Sequence, residues 1–147
     1  MLIAVSSERE DLESRVDRLF GRCPCFLLVD TDTMTFRALP NPAQGASGGA
    51  GIAAAQFVVR EGAKAVLTGN VGPNAMQVLS AAGIPVYTTG DRSVREAVDA
   101  FRQGQLQTLD SPTVANDFGK GGASASGPGF GLGRGMGGGR GMGRGGR

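Results

Sequence analysis

Two glycine-rich loops, each followed by a helical pattern, constrain the fold of this chain more than any other feature. The loops are GGAG at residues 48–51 and TGNVGPNA at residues 68–75. The apolar run between them, residues 65–67, is typical of a buried strand in a parallel sheet. The order of loop, helix, strand, loop and helix predicts that both loops meet at one end of such a sheet.

Glycine-rich loops at helix N-termini favour anion binding. They leave backbone N–H groups open, the helix dipole attracts negative charge, and the missing side chains admit a bulky ligand. Asparagine amides add further donors. The residues that we predict to bind an anion are Gly48, Gly49 and Gly51 in the first loop and Gly69, Asn70, Gly72 and Asn74 in the second. Such loops also serve simply to turn a strand into a helix, and the pattern alone leaves both interpretations open.

The amino acids are distributed unevenly along the 147 residues. Residues 118–147 hold 15 of the 26 glycines, 5 of the 15 basic residues and no acidic residue, whereas residues 1–117 hold 10 basic and 13 acidic residues. The net charges are therefore +5 and −3. A glycine-rich segment with few large apolar side chains cannot offset the entropy of ordering its backbone. We expect a folded domain at 1–110 and a disordered cationic tail, rich in Gly, Arg and Met, at 111–147.

Several classes of protein are excluded by composition. Histidine is absent, which removes the usual general base and the usual metal ligand. No run of about 18 apolar residues exists, and the N-terminal segment lacks the features of a secretory signal. The two cysteines are expected to be free thiols, which fits a reducing compartment. We therefore expect a cytoplasmic protein without a membrane partner.

Hydrophobic periodicity extends the pattern over residues 1–104. It predicts a hairpin at 26–39, an apolar first strand at 2–5 and a further parallel strand at 84–87. Helices are predicted after each glycine loop, and a third is predicted between the capping box of Ser93 with Glu96 and Gly104. This order predicts an α/β fold with a mixed five-stranded sheet, right-handed crossovers and helices on both faces.

Three motifs resemble one known family. They are FGRCPCFLLVDTDT at 20–33, ASGGAGIAAAQ at 46–56, and GNVGPNA followed by LSAAGIPVY within 69–87. Together they resemble the dinitrogenase iron-molybdenum cofactor biosynthesis family, which includes NifX and NafY, over residues 1–103. The resemblance implies a ribonuclease H-like three-layer fold. It also implies an accessory protein rather than an enzyme, one that binds metal-sulfur clusters and works with cluster-assembly or acceptor proteins.

The segment before the first motif departs from the family. Many relatives have a histidine there, but residues 16–19 are Val-Asp-Arg-Leu, so a histidine contact to a cluster is not carried over. The family holds this stretch as an irregular loop. By contrast, Ser7 and Glu10 form a capping-box pattern, and Leu12 and Val16 have helical spacing. Helix and loop both remain open for residues 7–18.

A metal-sulfide cluster is bulky and anionic, so its site should offer N–H donors, a cation and a thiolate. Arg22 is the predicted cation, and Cys23 is the predicted metal ligand because thiolates bind iron and copper. The fold implied by the resemblance also raises nuclease activity. That activity needs carboxylates at the strand ends, and neither the first strand nor the 65–67 strand ends in one.

The function that the resemblance implies, and with which these residues agree, is that of a non-catalytic scaffold or chaperone. It would bind or carry an iron-sulfur or molybdenum-containing sulfide cluster, such as an iron-molybdenum cofactor precursor or, as in one branch of the family, a molybdenum-copper sulfide. The alternative is a metal-free regulatory module that binds an ordinary anion or a partner. Three roles are open for the Arg-Gly pairs at Arg134, Arg140 and Arg144. They could bind an inorganic polyanion, bind nucleic acid, or only increase the solubility of the protein. Nucleic acid is disfavoured because the tail lacks tyrosine and tryptophan for base stacking.

Overall fold

The computed structural model describes residues 1–46 and 48–113. They form a mixed sheet in the strand order β3-β2-β1-β4-β5-β6, with three helices. Strands β1, β4 and β5 are parallel, and β2, β3 and β6 each run antiparallel to their neighbours. The elements are β1 (Leu2–Ser7), β2 (Cys25–Asp30), β3 (Phe36–Pro40), α1 (Ala50–Arg60), β4 (Val66–Thr68), α2 (Pro73–Ala81), β5 (Val86–Thr88), α3 (Val94–Arg102) and β6 (Gln107–Thr108).

The predicted strand number was wrong, because the sheet has six strands rather than five. The added strand, β6, pairs Thr108 with Tyr87 and Gln107 with Thr88 at the edge of the sheet. Two exposed polar residues carry no alternating hydrophobic pattern, so no local signal indicates this strand. The predicted hairpin is confirmed by the antiparallel pairing of β2 with β3. The ribonuclease H-like assignment stays a prediction, and beyond Thr113 the predicted tail lies outside the described residues.

Helices cover both faces of the sheet, as predicted. Successive strand residues point to opposite faces, so Ala4 of β1 joins the cluster under α1 and α2, whereas Ile3 and Val5 join the cluster under α3. We call these clusters the α1/α2 core and the α3 core. Within the described residues, no helix has the length and apolar character needed to span a membrane.

Residues 8–19 form an irregular loop, so of the two alternatives left open for this stretch the structure has the loop implied by the family resemblance and not the helix favoured by the local pattern. The Ser7 hydroxyl donates to the carbonyl of Arg9 and pairs with the Ser14 hydroxyl at 3.0 Å, instead of capping a helix that includes Glu10. Val16 forms an isolated bridge with Ser7, which fastens the loop to the end of β1.

Tertiary packing explains why apolar residues at helical spacing do not form a helix here. Leu12 and Val16 are buried in the α3 core, whereas Phe20 is buried in the α1/α2 core. A helix would place all three side chains on one face. The extended loop instead crosses the end of the sheet and distributes them to both of its faces.

Candidate functional site

The first turns of α1 and α2 pack against each other. A Cβ atom added at Gly51 would lie 3.2 Å from the Cβ of Ala75, which is tighter than an ordinary van der Waals contact. Residue 51 lies in the first glycine loop and residue 75 ends the second. The two loops therefore meet, as their order in the sequence predicts.

Among the residues that the structure describes, no side chain caps either of these helices. The N-cap residues are Gly49, at φ 70°, and Gly72, and the first turns contain no acidic residue. Helix α3 differs, because Ser93 and Glu96 form a reciprocal capping box there. Within residues 1–46 and 48–113, no N-cap side-chain oxygen of the usual kind satisfies the first-turn N–H groups of α1 and α2. Two uncapped helix ends that meet attract an anion.

Two glycines allow backbone segments to approach closely around this meeting point. A Cβ at Gly21 would lie 3.0 Å from the backbone nitrogen of Gly51, so the FGR motif rests directly on the start of α1. A Cβ at Gly69 would lie 2.9 Å from the Cα of Arg18. Gly69 was predicted for ligand binding, and the structure gives it a packing role. Gly21 was not predicted, although its place in the FGR motif was a signal.

The predicted asparagines both lie in the second glycine loop, and Asn74 also belongs to the first turn of α2. Asn70 holds the neighbouring segment, because its amide donates to the carbonyl of Arg18 at 3.1 Å and its backbone carbonyl accepts from the N–H of Phe20 at 3.1 Å. Asn74 is exposed in the first turn of α2. Of the two, Asn74 is the one whose side chain faces solvent at the helix end.

Arg22 connects the FGR motif to the loop before α1. Its Nη1 donates to the carbonyls of Gln44, at 3.2 Å, and Ala46, at 2.5 Å. Its Nη2 is buried and has no hydrogen-bond partner in the described part of the chain. A buried guanidinium N–H without an acceptor costs free energy. An anionic ligand would supply the missing acceptor through a charge-assisted hydrogen bond.

Asn41 is a site residue that sequence reasoning missed. It is 6% exposed, and its amide nitrogen donates to the carbonyls of Gly21, at 3.1 Å, and Cys23, at 2.9 Å. Its amide oxygen accepts from the N–H of Ala43 at 2.9 Å. Asn41 therefore fixes the backbone on both sides of Arg22. Its position between two prolines predicted only the end of a strand, although a buried asparagine in such a loop often satisfies the backbone.

Cys23 lies in the α1/α2 core and is 0% exposed. Its Sγ donates to the carbonyl of Phe20 at 3.4 Å. Burial, reinforced by the negative charge of Asp17, raises the pKa of the Cys23 thiol well above its usual range, so the sulfur is protonated at neutral pH. The described residues contain no group of three or more His, Cys, Asp or Glu side chains able to hold a metal ion. A ligand role for Cys23 stays a prediction.

The raised pKa of Cys23 predicts a pH dependence of stability. An unfolded cysteine releases its proton near pH 8.5, whereas the folded protein retains this one. The contribution of Cys23 to the free energy of unfolding is thus complete below about pH 8.5 and falls as the pH rises toward the folded pKa. Cys23→Ala should cost on the order of 1 kcal/mol at pH 7 and should lose less stability than the wild type between pH 8 and 10.

Urea denaturation at several pH values measures this difference. Cys25→Ala is the matched control, because burial also raises the pKa of Cys25 but less strongly. If the free energy of unfolding fell equally between pH 8 and 10 in the wild type and in Cys23→Ala, the prediction would be contradicted.

Comparison with known proteins gives a sequence-profile match and several structural matches. The sequence profile of the family described as dinitrogenase iron-molybdenum cofactor matches residues 1–104. The apo form of the orange protein from Desulfovibrio gigas is 43% identical with a TM-score of 0.74, and the match covers 77% of this chain and 96% of that one. A candidate NifB protein from Thermotoga is 34% identical with a TM-score of 0.67, over 77% and 97% of the two chains.

A candidate dinitrogenase from Methanocaldococcus jannaschii, 21% identical, shares the fold with a TM-score of 0.57 over 76% of this chain and 97% of that one. No curated protein gives a significant match. The profile match spans more than half of the chain, and the orange protein exceeds 30% identity over nearly its whole length. The chain therefore belongs to the dinitrogenase iron-molybdenum cofactor family.

Proposed function

We propose that this protein binds an anionic metal-sulfur cluster where the first turns of α1 and α2 meet, and carries it without transforming it. We call this place the glycine mouth; it comprises Gly48, Gly49, Gly51, Gly69, Asn70, Gly72 and Asn74. The class of cargo is an iron-molybdenum cofactor precursor or a related iron, molybdenum or copper sulfide. Membership of the family supports this class of ligand, and the similar orange protein is described in an apo form.

The observation that carries the proposal is the Nη2 of Arg22, which is buried and has no hydrogen-bond partner among residues 1–46 and 48–113. Its guanidinium is already oriented by two carbonyls of the loop that leads into the glycine mouth. A planar, permanently charged donor group suits a multivalent anion whose sulfur or oxygen atoms accept several hydrogen bonds. Together with the uncapped first turns of α1 and α2, it would hold the cluster by charge and hydrogen bonds, without requiring a thiolate.

The ends of β1 and β4 support a carrier rather than a hydrolase. Ser6 and Thr68 are both buried there, and the Ser6 hydroxyl donates to the Thr68 hydroxyl at 2.7 Å and to the carbonyl of Asp17 at 2.8 Å. Neutral hydroxyls occupy the strand ends where a two-metal nuclease needs carboxylates. Ser6 and Thr68 therefore provide no carboxylate at these positions that could act as a general acid or base or hold a catalytic metal ion.

A metal-free module that binds an ordinary anion, such as phosphate, is the second candidate. The same uncapped helix ends and the same arginine favour it, because they select for negative charge rather than for sulfur. The optical spectrum separates the two candidates, since a bound metal sulfide absorbs visible light and phosphate does not.

The proposal is tested with full-length protein purified without oxygen. Elemental analysis for iron, molybdenum and copper is combined with the visible spectrum, and metal-free protein is then titrated with tetrathiomolybdate, with and without Cu(I). We expect a visible chromophore that remains with the protein through gel filtration. Colourless protein that releases tetrathiomolybdate on the column and yet binds inorganic phosphate would overturn the proposal in favour of the metal-free module.

A further inference from the structure

The second glycine loop is held in place by segments that are distant in the sequence. At its start, Gly69 packs against the 18–20 segment, to which Asn70 is hydrogen-bonded. Val71 comes next, is 1% exposed and directly precedes Gly72, the N-cap of α2. The contacts of Val71 therefore determine where the first turn of α2 begins, and the N–H groups of that turn belong to the glycine mouth.

Thr113 binds both polar groups of the Val71 backbone. The N–H of Thr113 donates to the carbonyl of Val71 at 2.8 Å, and the N–H of Val71 donates to the hydroxyl of Thr113 at 2.9 Å. The hydroxyl in turn donates to the Val71 carbonyl at 3.4 Å. Because a buried N–H that loses its acceptor costs free energy, removal of this hydroxyl should loosen the loop at the residue before the N-cap.

The segment that ends at Thr113 is itself anchored to the domain. Leu109 directly follows β6, donates its N–H to the carbonyl of Val86 at 2.8 Å and packs against the α1/α2 core. Only three residues separate Leu109 from Thr113, and one of them is Pro112. Its ring fixes its own φ and restricts the preceding residue to extended conformations. Residues 109–113, which we call the strap, are thus short, stiffened and attached at both ends.

We propose that Thr113 is a positioning residue for the glycine mouth, and that the strap holds Val71 so that the first turn of α2 is in place before an anion arrives. This inference rests on the proposed function, because it names a residue that prepares the same site without touching the ligand. A protein whose binding-competent form is only partly populated binds with an affinity reduced by that fraction. Loss of the Thr113 hydroxyl should therefore weaken anion binding through the shape of the loop.

The test measures the dissociation constant of tetrathiomolybdate for full-length variants. Thr113→Val keeps the shape of the side chain and the backbone N–H but removes the hydroxyl. We expect it to bind about threefold to tenfold more weakly, the factor that one hydrogen bond represents. Thr113→Ser retains a hydroxyl and should bind like the wild type. Thr108→Val is the matched control, because it removes a hydroxyl from an exposed threonine of β6, and it should also bind like the wild type.

Two further measurements separate positioning from ligand contact and from a general loss of stability. In stopped-flow experiments, Thr113→Val should lower the association rate constant and leave the dissociation rate constant unchanged, because only the competent fraction of the protein has changed. A residue that touched the anion would mainly change the dissociation rate constant. In the ligand-free variant, the Val71 N–H should exchange its hydrogen at least about threefold faster, whereas the N–H of Val5 in β1 should exchange as in the wild type.

The remaining outcomes separate this inference from the proposed function. If the wild type binds tetrathiomolybdate and Thr113→Val binds equally well, even with faster exchange at Val71, the strap has only a structural role, the inference fails and the proposed function stands. Equal weakening in Thr113→Val and Thr108→Val, or a change confined to the dissociation rate constant, would also overturn the inference. If the wild type does not bind tetrathiomolybdate, the proposed function fails and the inference fails with it.

Discussion

Replacing Gly69 with alanine is expected to lower the free energy of unfolding by about 1–3 kcal/mol, the usual cost of overpacking. The new Cβ would lie 2.9 Å from the Cα of Arg18 and 3.0 Å from its carbonyl oxygen. Both are backbone atoms, so neither can move without shifting the 18–20 segment. That shift would disturb the hydrogen bonds of Asn70 to this segment and the burial of Phe20 in the α1/α2 core. Urea denaturation at pH 7 measures the loss.

Gly45→Ala is the matched control. Gly45 is exposed, a Cβ added there would have no neighbouring atom within 4 Å, and its backbone does not adopt a positive φ. Alanine at this position should leave stability unchanged or raise it slightly, because it restricts the unfolded chain. An equal loss in both variants would show that close packing against Arg18 is not what requires glycine at position 69.

Replacing Arg22 with methionine is expected to weaken tetrathiomolybdate binding by about thirtyfold or more. Truncating one partner of a buried, charge-assisted hydrogen bond costs at least about 2 kcal/mol, and about 1.4 kcal/mol corresponds to a factor of ten in the dissociation constant. Methionine preserves much of the apolar length of the side chain but removes the Nη2 donor that has no partner in the described residues. Equilibrium titration monitored by visible absorption measures the effect.

Two further variants separate charge from geometry at this position. Arg22→Lys keeps the charge but cannot reproduce the planar fork, so it should bind with intermediate affinity. Arg60→Met removes an exposed arginine from the last turn of α1, far along the helix from the glycine mouth, and should bind like the wild type. If a folded Arg22→Met protein bound tetrathiomolybdate as tightly as the wild type, Arg22 would not contact the anion, and the main argument for the proposed function would be lost.

Elements with a strong local pattern were predictable from sequence. The capping box of Ser93 and Glu96 marks the start of α3, and the glycine loops mark the starts of α1 and α2 within one or two residues. In each case the residues that define the helix end are neighbours in the chain, so propensity and tertiary packing favour the same structure.

Elements defined by distant partners were not predictable. The same capping-box pattern at Ser7 and Glu10 does not start a helix. The Ser7 hydroxyl instead forms hydrogen bonds with the carbonyl of Arg9 and the hydroxyl of Ser14, in a loop that is attached to the sheet. The candidate site shows the same division. The loop glycines proposed for it were predicted from their sequence motifs, whereas the hydrogen bonds of Asn41 to Gly21 and Cys23 join segments about 20 residues apart and have no local sequence signal.

The central position of β1 affects the order in which the protein can assemble. β1 pairs with β2 through a local antiparallel contact, but its other neighbour, β4, lies 62 residues later, as in the pairing of Ala4 with Val66. Local pairings form quickly, whereas a parallel pairing must wait for its crossover. Both glycine loops flank β4 and meet only when it has docked. During synthesis we expect the β1-β2-β3 meander to form before the candidate site. Under the proposed function, a cluster would then be loaded only onto a chain in which β4 has docked.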